Sequence, residues 1–491
     1  MPLKLRYVRM LKDDLAWEKS DEQVDAWERA LHNAETYRAI GILILKYRPG
    51  DPLELHRPIR GGYNIIFRLQ YKDGSSAVMR IPHKGAVKFP DEKVGYEVAT
   101  MRYVAANTTI PVPHIYHHGT GAENPTGLGP FIIMDYIEHE RTMSDALNDP
   151  LLQPDESHIL NSNISEPILE LLYGQMANIM LQLSMLSFPR IGSLLQDEHG
   201  DISVAGRPLI QNMNSLVEFA SVPPTWLPSQ PYSTSKEWYT AMADMHMMQA
   251  TFQRNDTILD EDDARDKFVA RRLFQRAATS GRLYVEVDDP NDETSGTGFL
   301  LYSEDLRPSN VLIDEKLRVV GVIDWEFAYA APAQFSFDPP WWLLLKSPEY
   351  WPDGYSSWIE ACRPRFETFL GALEREEKLL GARSSLLGCP GGVSLSQRMR
   401  RRWEDQSWLV NYASRNSWAF DFIFWRYIDQ SHYGPNEDGD HRARLGLLGS
   451  EELSVMDDFV KLKMEELKTR ALVVPESRDD AAVTLILKVM T

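Results

Sequence analysis

Cysteine is almost absent from this chain. The 491 residues hold two, Cys362 and Cys389, and neither sits in a CxxC or Cys/His pattern. That excludes a disulfide scaffold and a cysteine-based zinc site, and it fits a reducing compartment. Long apolar runs are missing too. The longest near the N-terminus is Ile40–Leu45, far short of the roughly 20 residues that span a bilayer. Basic charge is in deficit, with 52 Lys and Arg against 71 Asp and Glu and a net charge of -19. Such a surface repels nucleic acid and anionic membrane, so neither is an expected partner. The acidity serves solubility, or weakly favours a cationic ligand. Also missing are G-x-S-x-G, G-x4-G-K-[ST] and H-E-x-x-H, which argues against a serine hydrolase, a P-loop enzyme and a zincin. No secretory signal is visible, so the cytoplasm is the expected location. Lys4, Arg6, Arg9 and Lys12 give a faint mitochondrial-transit character, which Asp13, Asp14 and Glu18 weaken.

What is present reads as an ordinary globular chain, 43% hydrophobic and 25% charged, long enough for two or three domains. Residues 20–47 have a helical pattern. In 57–82, Ile65, Phe67 and Leu69 alternate with Ile66, Arg68 and Gln70, and Lys72-Asp73-Gly74 supplies a turn, so two paired strands are predicted. Val94, Val98, Met101 and Val104 recur at helical spacing in 91–108, and residues 129–138 have the apolar density of a buried strand. Helices follow at 168–188 and 236–281, separated by Pro-, Ser- and Gly-rich residues 189–235 that read as loops. From about 340 onward the chain is Trp-rich and mostly helical. Trp341, Trp342, Trp403, Trp408, Trp418 and Trp425 read as core or as cation-binding aromatics. The basic run 398–403 reads as a solvated helix face.

The informative stretch is 299–328, a strand, a loop, a strand, a turn and a strand. Asp305 lies in the loop after "GFLLY", Asn310 follows five residues later, and Pro308 stiffens the chain between them. The hairpin turning near Lys316 then returns Asp324 beside the loop. Any one of these residues alone reads as a capped turn. Together they bring two carboxylates and an amide to one place, as phosphoryl transfer requires.

"LLYSEDLRPSNVLID" and "VVGVIDWEFA" resemble the catalytic core of the aminoglycoside phosphotransferase and choline kinase family, whose pattern is H-x-D-x4-N followed by I-D-[WFY]-E. The large fungal branch is the nearest match. The likeness covers roughly residues 55–140 and 295–345. It implies an α+β, two-lobed, protein-kinase-like fold: a small N-terminal antiparallel sheet plus helix, and a larger, mainly helical C-terminal lobe. The expected division is 1–138, an N-terminal helical extension and nucleotide lobe, and 139–491, a catalytic and substrate-binding lobe with an insertion at about 189–295. The implied function is an ATP- and Mg2+-dependent phosphotransferase acting on a hydroxyl of a small molecule. The alternative is a pseudokinase or nucleotide-binding scaffold.

By that resemblance Asp305 is the catalytic base position, and Asn310 and Asp324 are the metal-ligand positions. Gly61 and Gly62 stand where the family has its phosphate-covering turn, and otherwise make a plain turn. Arg80 takes the place of the phosphate-binding lysine, or is a sheet arginine reaching solvent. Glu97 is its partner, or a surface residue. The backbone of Asp135, Tyr136 and Ile137 matches the hinge that meets adenine. Asp338 matches a brace beneath the catalytic loop, or is a helix N-cap. One departure stands out. The family has His two residues before the catalytic Asp, and this chain has Ser303.

Overall fold

Alternating apolar residues make Asn64–Tyr71 and Ser76–Pro82 a strand pair, and Gly74 closes their turn at φ 87°, a conformation glycine adopts without steric cost. The computed structural model describes residues 12–153, 156–283, 298–384, 393–473 and 480–490. Cys389, the basic residues Lys4, Arg6 and Arg9, and the end of the expected insertion lie outside them. The chain forms two compact units. One consists of Ala26–Leu209 and Asp289–Gln406, the other of Met1–Asp25, Ile210–Asp288 and Ser407–Thr491.

The sheet-bearing unit takes in the end of helix α1 (Asp14–Leu31), and α2 (Ala34–Tyr47) follows. Strands β1 (Pro52–Leu55), β2 (Ile59–Arg60), β3 (Asn64–Tyr71) and β4 (Ser76–Pro82) come next, then helix α3 (Pro90–Asn107), β5 (Ile115–Gly119) and β6 (Phe131–Asp135). The strands form one antiparallel sheet in the order β1-β3-β4-β6-β5, with β2 on β3. Alternation gives this sheet two faces. Phe67, Leu69, Met79, Ile81 and Ile133 form one core with Ile40, Leu43 and Ile44 of α2. Ile66 and Arg80, which pair across β3 and β4, belong to the opposite face.

After β6 come β7 (Arg141–Thr142), helix α4 (Met143–Leu147), helix α5 (Glu166–Leu183), β8 (Ser187–Phe188), β9 (Ser193–Gln196) and β10 (Ile202–Gly206). The loops expected over 189–235 are therefore only partly loops. β9 and β10 form a hairpin whose turn is tied by Asp197, which accepts from the amides of His199 and Asp201 at 2.9 Å each. α3 packs against this hairpin, and a Cβ on Gly206 would come within 2.4 Å of the Tyr96 ring.

The other unit is helical. Helix α6 (Gln211–Phe219) also falls in the stretch expected as loop. Helices α7 (Ser235–Phe252) and α8 (Glu261–Thr279) pack together. Asp260 caps α8, and Glu261, Asp262 and Asp263 fill its first turn, so the acidic run sits where the helix dipole favours it. Between the two helices Gln275 Nε2 donates to Asp244 Oδ1 at 2.7 Å. Burial pushes the Asp244 carboxyl up to about 6, against the lowering influence of Gln275 and Arg272.

The segment 299–331 belongs to the sheet-bearing unit: β11 (Phe299–Ser303), β12 (Val311–Ile313), β13 (Val319–Val322) and β14 (Ala328–Ala331). Helix α9 (Ala333–Ser336) follows, then α10 (Gly354–Ser384), which packs along α5. Helix α11 (Leu395–Glu404) carries the basic run, but Met399 and Trp403 are buried and Arg402 donates to the buried Asp338 at 2.7 Å. That run is thus only partly a solvated face. Trp342, Trp403 and Trp408 are core residues.

Candidate active site

Two antiparallel ladders aim the motif residues at one place. In the first, Ser303 faces Ala328, so the chain leaving β11 toward Asp305 and the chain entering β14 after Glu326 share an end. In the second, Val311 faces Val322, so Asn310 before β12 and Asp324 after β13 share an end. The Ile323 amide donates to the Asn310 carbonyl at 2.9 Å and closes that end. Between the ladders, Pro308 starts a short 3-10 turn, Pro308–Asn310. Proline suits a first helical position, where no amide donor is needed.

Within the loop, Asn310 Nδ2 donates to Asp305 Oδ2 at 2.9 Å and to the Asp305 carbonyl at 2.8 Å. Arg307 Nε meets the other carboxylate oxygen, Oδ1, at 2.9 Å. The Asp305 side chain is 19% exposed. Burial pushes its carboxyl up to about 6, although Arg307 and Asn310 oppose the rise. A carboxylate poised near neutrality suits proton acceptance. Asp324 has φ 59° and Phe327 φ 58°. Left-handed backbone at two non-glycine residues so close together marks a segment that its surroundings must hold in place.

Arg80 lies on β4, flanked by β3 and β6, and is 2% exposed. It does not reach solvent. Nη1 pairs with Glu97 Oε1 and Nη2 with Asp324 Oδ1, and Nη2 also reaches Glu326 Oε2 at 2.9 Å. Burial alone would lower its pKa, but Asp324, Glu97 and Glu326 outweigh it and hold the guanidinium charged. Glu97, on α3, is 1% exposed and so is no surface residue. Burial raises its pKa while Arg80 and Lys93 resist. Glu326 behaves oppositely: burial raises, but Lys93 and Arg80 win and its pKa is lowered.

The remaining predicted positions surround this cluster. Gly61 and Gly62 make the turn between β2 and β3, where the Gly61 amide donates to the Asn64 carbonyl at 2.8 Å. Next to that turn, Tyr63 packs edge-on against Phe327, with ring centroids 5.6 Å apart. At the end of β6, the Asp135 amide donates to the His114 carbonyl at 2.9 Å and the Tyr136 amide to the Ser76 carbonyl at 3.1 Å. The Ile137 carbonyl is 2.8 Å from His139 Nδ1. Ile137 also packs over Gly321, where a Cβ would meet its Cδ1 at 2.5 Å. Ser303, buried at the end of β11, accepts from the Leu306 amide through its carbonyl at 3.4 Å. Asp338 pairs with Arg402.

Sequence reasoning missed Asn64, Lys93, Arg307 and Glu326. Glu326 was in plain view inside I-D-W-E, and Lys93 stands four residues before Glu97, hence on the same helix face. As for a metal, Asn310 commits its amide nitrogen to Asp305, which turns its oxygen away from that carboxylate. That oxygen and the Asp324 carboxylate are the hard oxygen donors that Mg2+ takes, usually alongside phosphate oxygens and water. The donor set fits.

The chain is similar in fold to small-molecule phosphotransferases of the aminoglycoside phosphotransferase and choline kinase group. No family model matches it. Among solved structures, the ethanolamine kinase of Plasmodium vivax aligns over 96% of this chain and 94% of its own, at 10% identity and TM-score 0.40. A macrolide 2'-phosphotransferase of Brachybacterium faecium aligns over 76% and 92%, at 13% identity and TM-score 0.35. Among curated relatives, the clavilactone A biosynthesis cluster protein Y of Ampulloclitocybe clavipes is 26% identical over 324 residues, 65% of this chain and 70% of that one. A subtelomeric hrmA-associated cluster protein of Aspergillus fumigatus is 35% identical over 86 residues, 17% of this chain. That match spans only 16% of the relative's length.

Proposed function

We propose that the protein is an ATP- and Mg2+-dependent phosphotransferase whose acceptor is a hydroxyl group of a small molecule. The observation that carries the reading is the meeting of Asp305, Asn310 and Asp324 at the shared ends of two ladders, with Arg80 paired to Asp324. In this reading residues 1–138 bear the nucleotide and 139–491 the catalytic loop and the acceptor site, with 189–295 as an insertion. The hinge backbone at Asp135, Tyr136 and Ile137 takes the adenine, and the turn at Gly61 and Gly62 covers the phosphates. Arg80, held by Glu97, positions the phosphates. Asn310 and Asp324 hold Mg2+, which neutralises phosphate charge when bound.

Asp305 orients the acceptor hydroxyl and takes its proton as the oxygen bonds to the γ-phosphorus and the bond to ADP breaks. Both Asp305 oxygens already have partners, Asn310 and Arg307. Arg307 is the more exposed of the two, so it is the one that yields to the hydroxyl. The proposed compartment is the cytoplasm. Among the described residues no helix is long and apolar enough to cross a membrane. Purified protein incubated with ATP, Mg2+ and a metabolite pool tests the reading through metal-dependent ATP consumption. ATP that stays intact with every acceptor argues against it.

A second reading, a nucleotide-binding scaffold without turnover, is favoured by one departure: Ser303 replaces the histidine that braces such loops. Mg2+-dependent nucleotide binding with no transfer to any acceptor would select it, and Ser303→His is then the first variant to make.

A further inference from the structure

Lys93 is 1% exposed, an unusual burial for a lysine. It lies on α3 one turn before Glu97, so both side chains leave the same face of the helix. Its Nζ pairs with Glu326 Oε2 and donates to Asn64 Oδ1 at 2.9 Å. Asn64 Nδ2 donates to the same Glu326 oxygen at 2.9 Å, and so does Arg80 Nη2 at 2.9 Å. Three donors from β3, β4 and α3 therefore converge on one oxygen, two residues beyond Asp324.

Five charged side chains occupy this knot. Arg80 and Lys93 are cations; Glu97, Glu326 and Asp324 are anions, so two positive and three negative charges leave one negative. Four of the side chains are 1–4% exposed, whereas Asp324 is 32% exposed. Buried charge is costly unless it is balanced. The four buried groups balance among themselves, two against two. Asp324 is the surplus carboxylate and also the accessible one.

We propose that Lys93 and Glu326 form a matched positioning pair: each offsets the other's buried charge, so the cluster needs no charge from Asp324, which is left to bind a divalent cation. The inference rests on the phosphotransferase reading and adds to it a role for two residues outside the proposed metal and phosphate contacts. When Mg2+ takes Asp324, Arg80 keeps Glu97 and Glu326, and the buried charges stay balanced.

The test is a calorimetric Mg2+ titration of the full chain with a non-hydrolysable ATP analogue, with a thermal melt of each variant as the fold control. In Glu326→Gln, two buried cations face one buried anion, Arg80 retains Asp324, and Mg2+ affinity falls at least about tenfold. In the double variant Lys93→Met/Glu326→Gln the buried charges balance again, and affinity returns to within a factor of about three of wild type. Lys93→Met alone adds surplus negative charge, so its Mg2+ affinity does not fall; Lys93→Arg keeps the count and the affinity. A lysine that merely staples α3 to Glu326 gives another pattern, in which both single variants lose affinity and the double variant recovers none. That pattern, or an unchanged Glu326→Gln, overturns the proposal. Should Lys93→Met fail to fold, the comparison of Glu326→Gln with the double variant still decides. If wild type binds no analogue in a Mg2+-dependent way, the phosphotransferase reading falls and the inference with it. If wild type binds but the variants break this order, only the inference falls.

Discussion

Replacing Asp244 by asparagine is expected to stabilise the protein in alkali and to do little in acid. The folded carboxyl sits at about 6 because burial disfavours its charge, against 3.8 for the ordinary group. The sign follows from proton count. Between those two values the folded state holds a proton that the unfolded state has lost, so stability falls as pH rises from about 4 through 6. A gap of roughly 2 units at 1.36 kcal/mol each sets a ceiling of about 3 kcal/mol, reached above pH 7. Asp244 is only half-buried, so solvent screening reduces the cost to about 1–3 kcal/mol. Asparagine has no charge to bury, and its oxygen still accepts from Gln275. Urea unfolding of both proteins at pH 8 and pH 4 measures the difference. The variant is expected to be the more stable at pH 8, and at pH 4 the gap closes to under about 1 kcal/mol. A gap of equal size at both pH values would refute the burial argument.

Other substitutions test the site and its support. Arg80→Met leaves Glu97, Glu326 and Asp324 with Lys93 alone and is expected to cost about 3–5 kcal/mol. A melting temperature equal to wild type would contradict the buried network. Gly206→Val drives a side chain into the Tyr96 ring and is expected to cost about 1–3 kcal/mol, measured by urea unfolding, with no loss if the hairpin simply shifts. Asp324→Ala is expected to remove the Mg2+ dependence of nucleotide binding while leaving metal-free binding measurable. Metal-dependent binding that persists would move the metal site elsewhere.

Some of this was legible in the sequence and some was not, for physical reasons. The β3–β4 pair showed itself through alternation and a Gly-containing turn, both local signals. The elements of 299–328 were legible because strand, loop and hairpin follow one another closely, so that sequence spacing fixes register. Lys93 was not legible, since a lysine beside acids on a helix looks solvated until its partner, 233 positions away at Glu326, is known. Arg402 was missed for the same reason, its partner being Asp338. The β9–β10 hairpin was hidden by short strands in a Ser- and Gly-rich stretch. The division into two units could not be read, because Ile210–Asp288 joins Ser407–Thr491 through contacts that no local pattern announces.

The central claim is that Asp305 serves a phosphoryl transfer supported by Asn310 and Asp324. Its most direct test is transfer of γ-labelled phosphate from ATP to a small-molecule acceptor, comparing wild type with Asp305→Ala at saturating Mg2+. The account predicts metal-dependent labelling by wild type and at least about a 100-fold loss of turnover in the variant, with nucleotide affinity retained. Labelling that survives Asp305→Ala unchanged would contradict it.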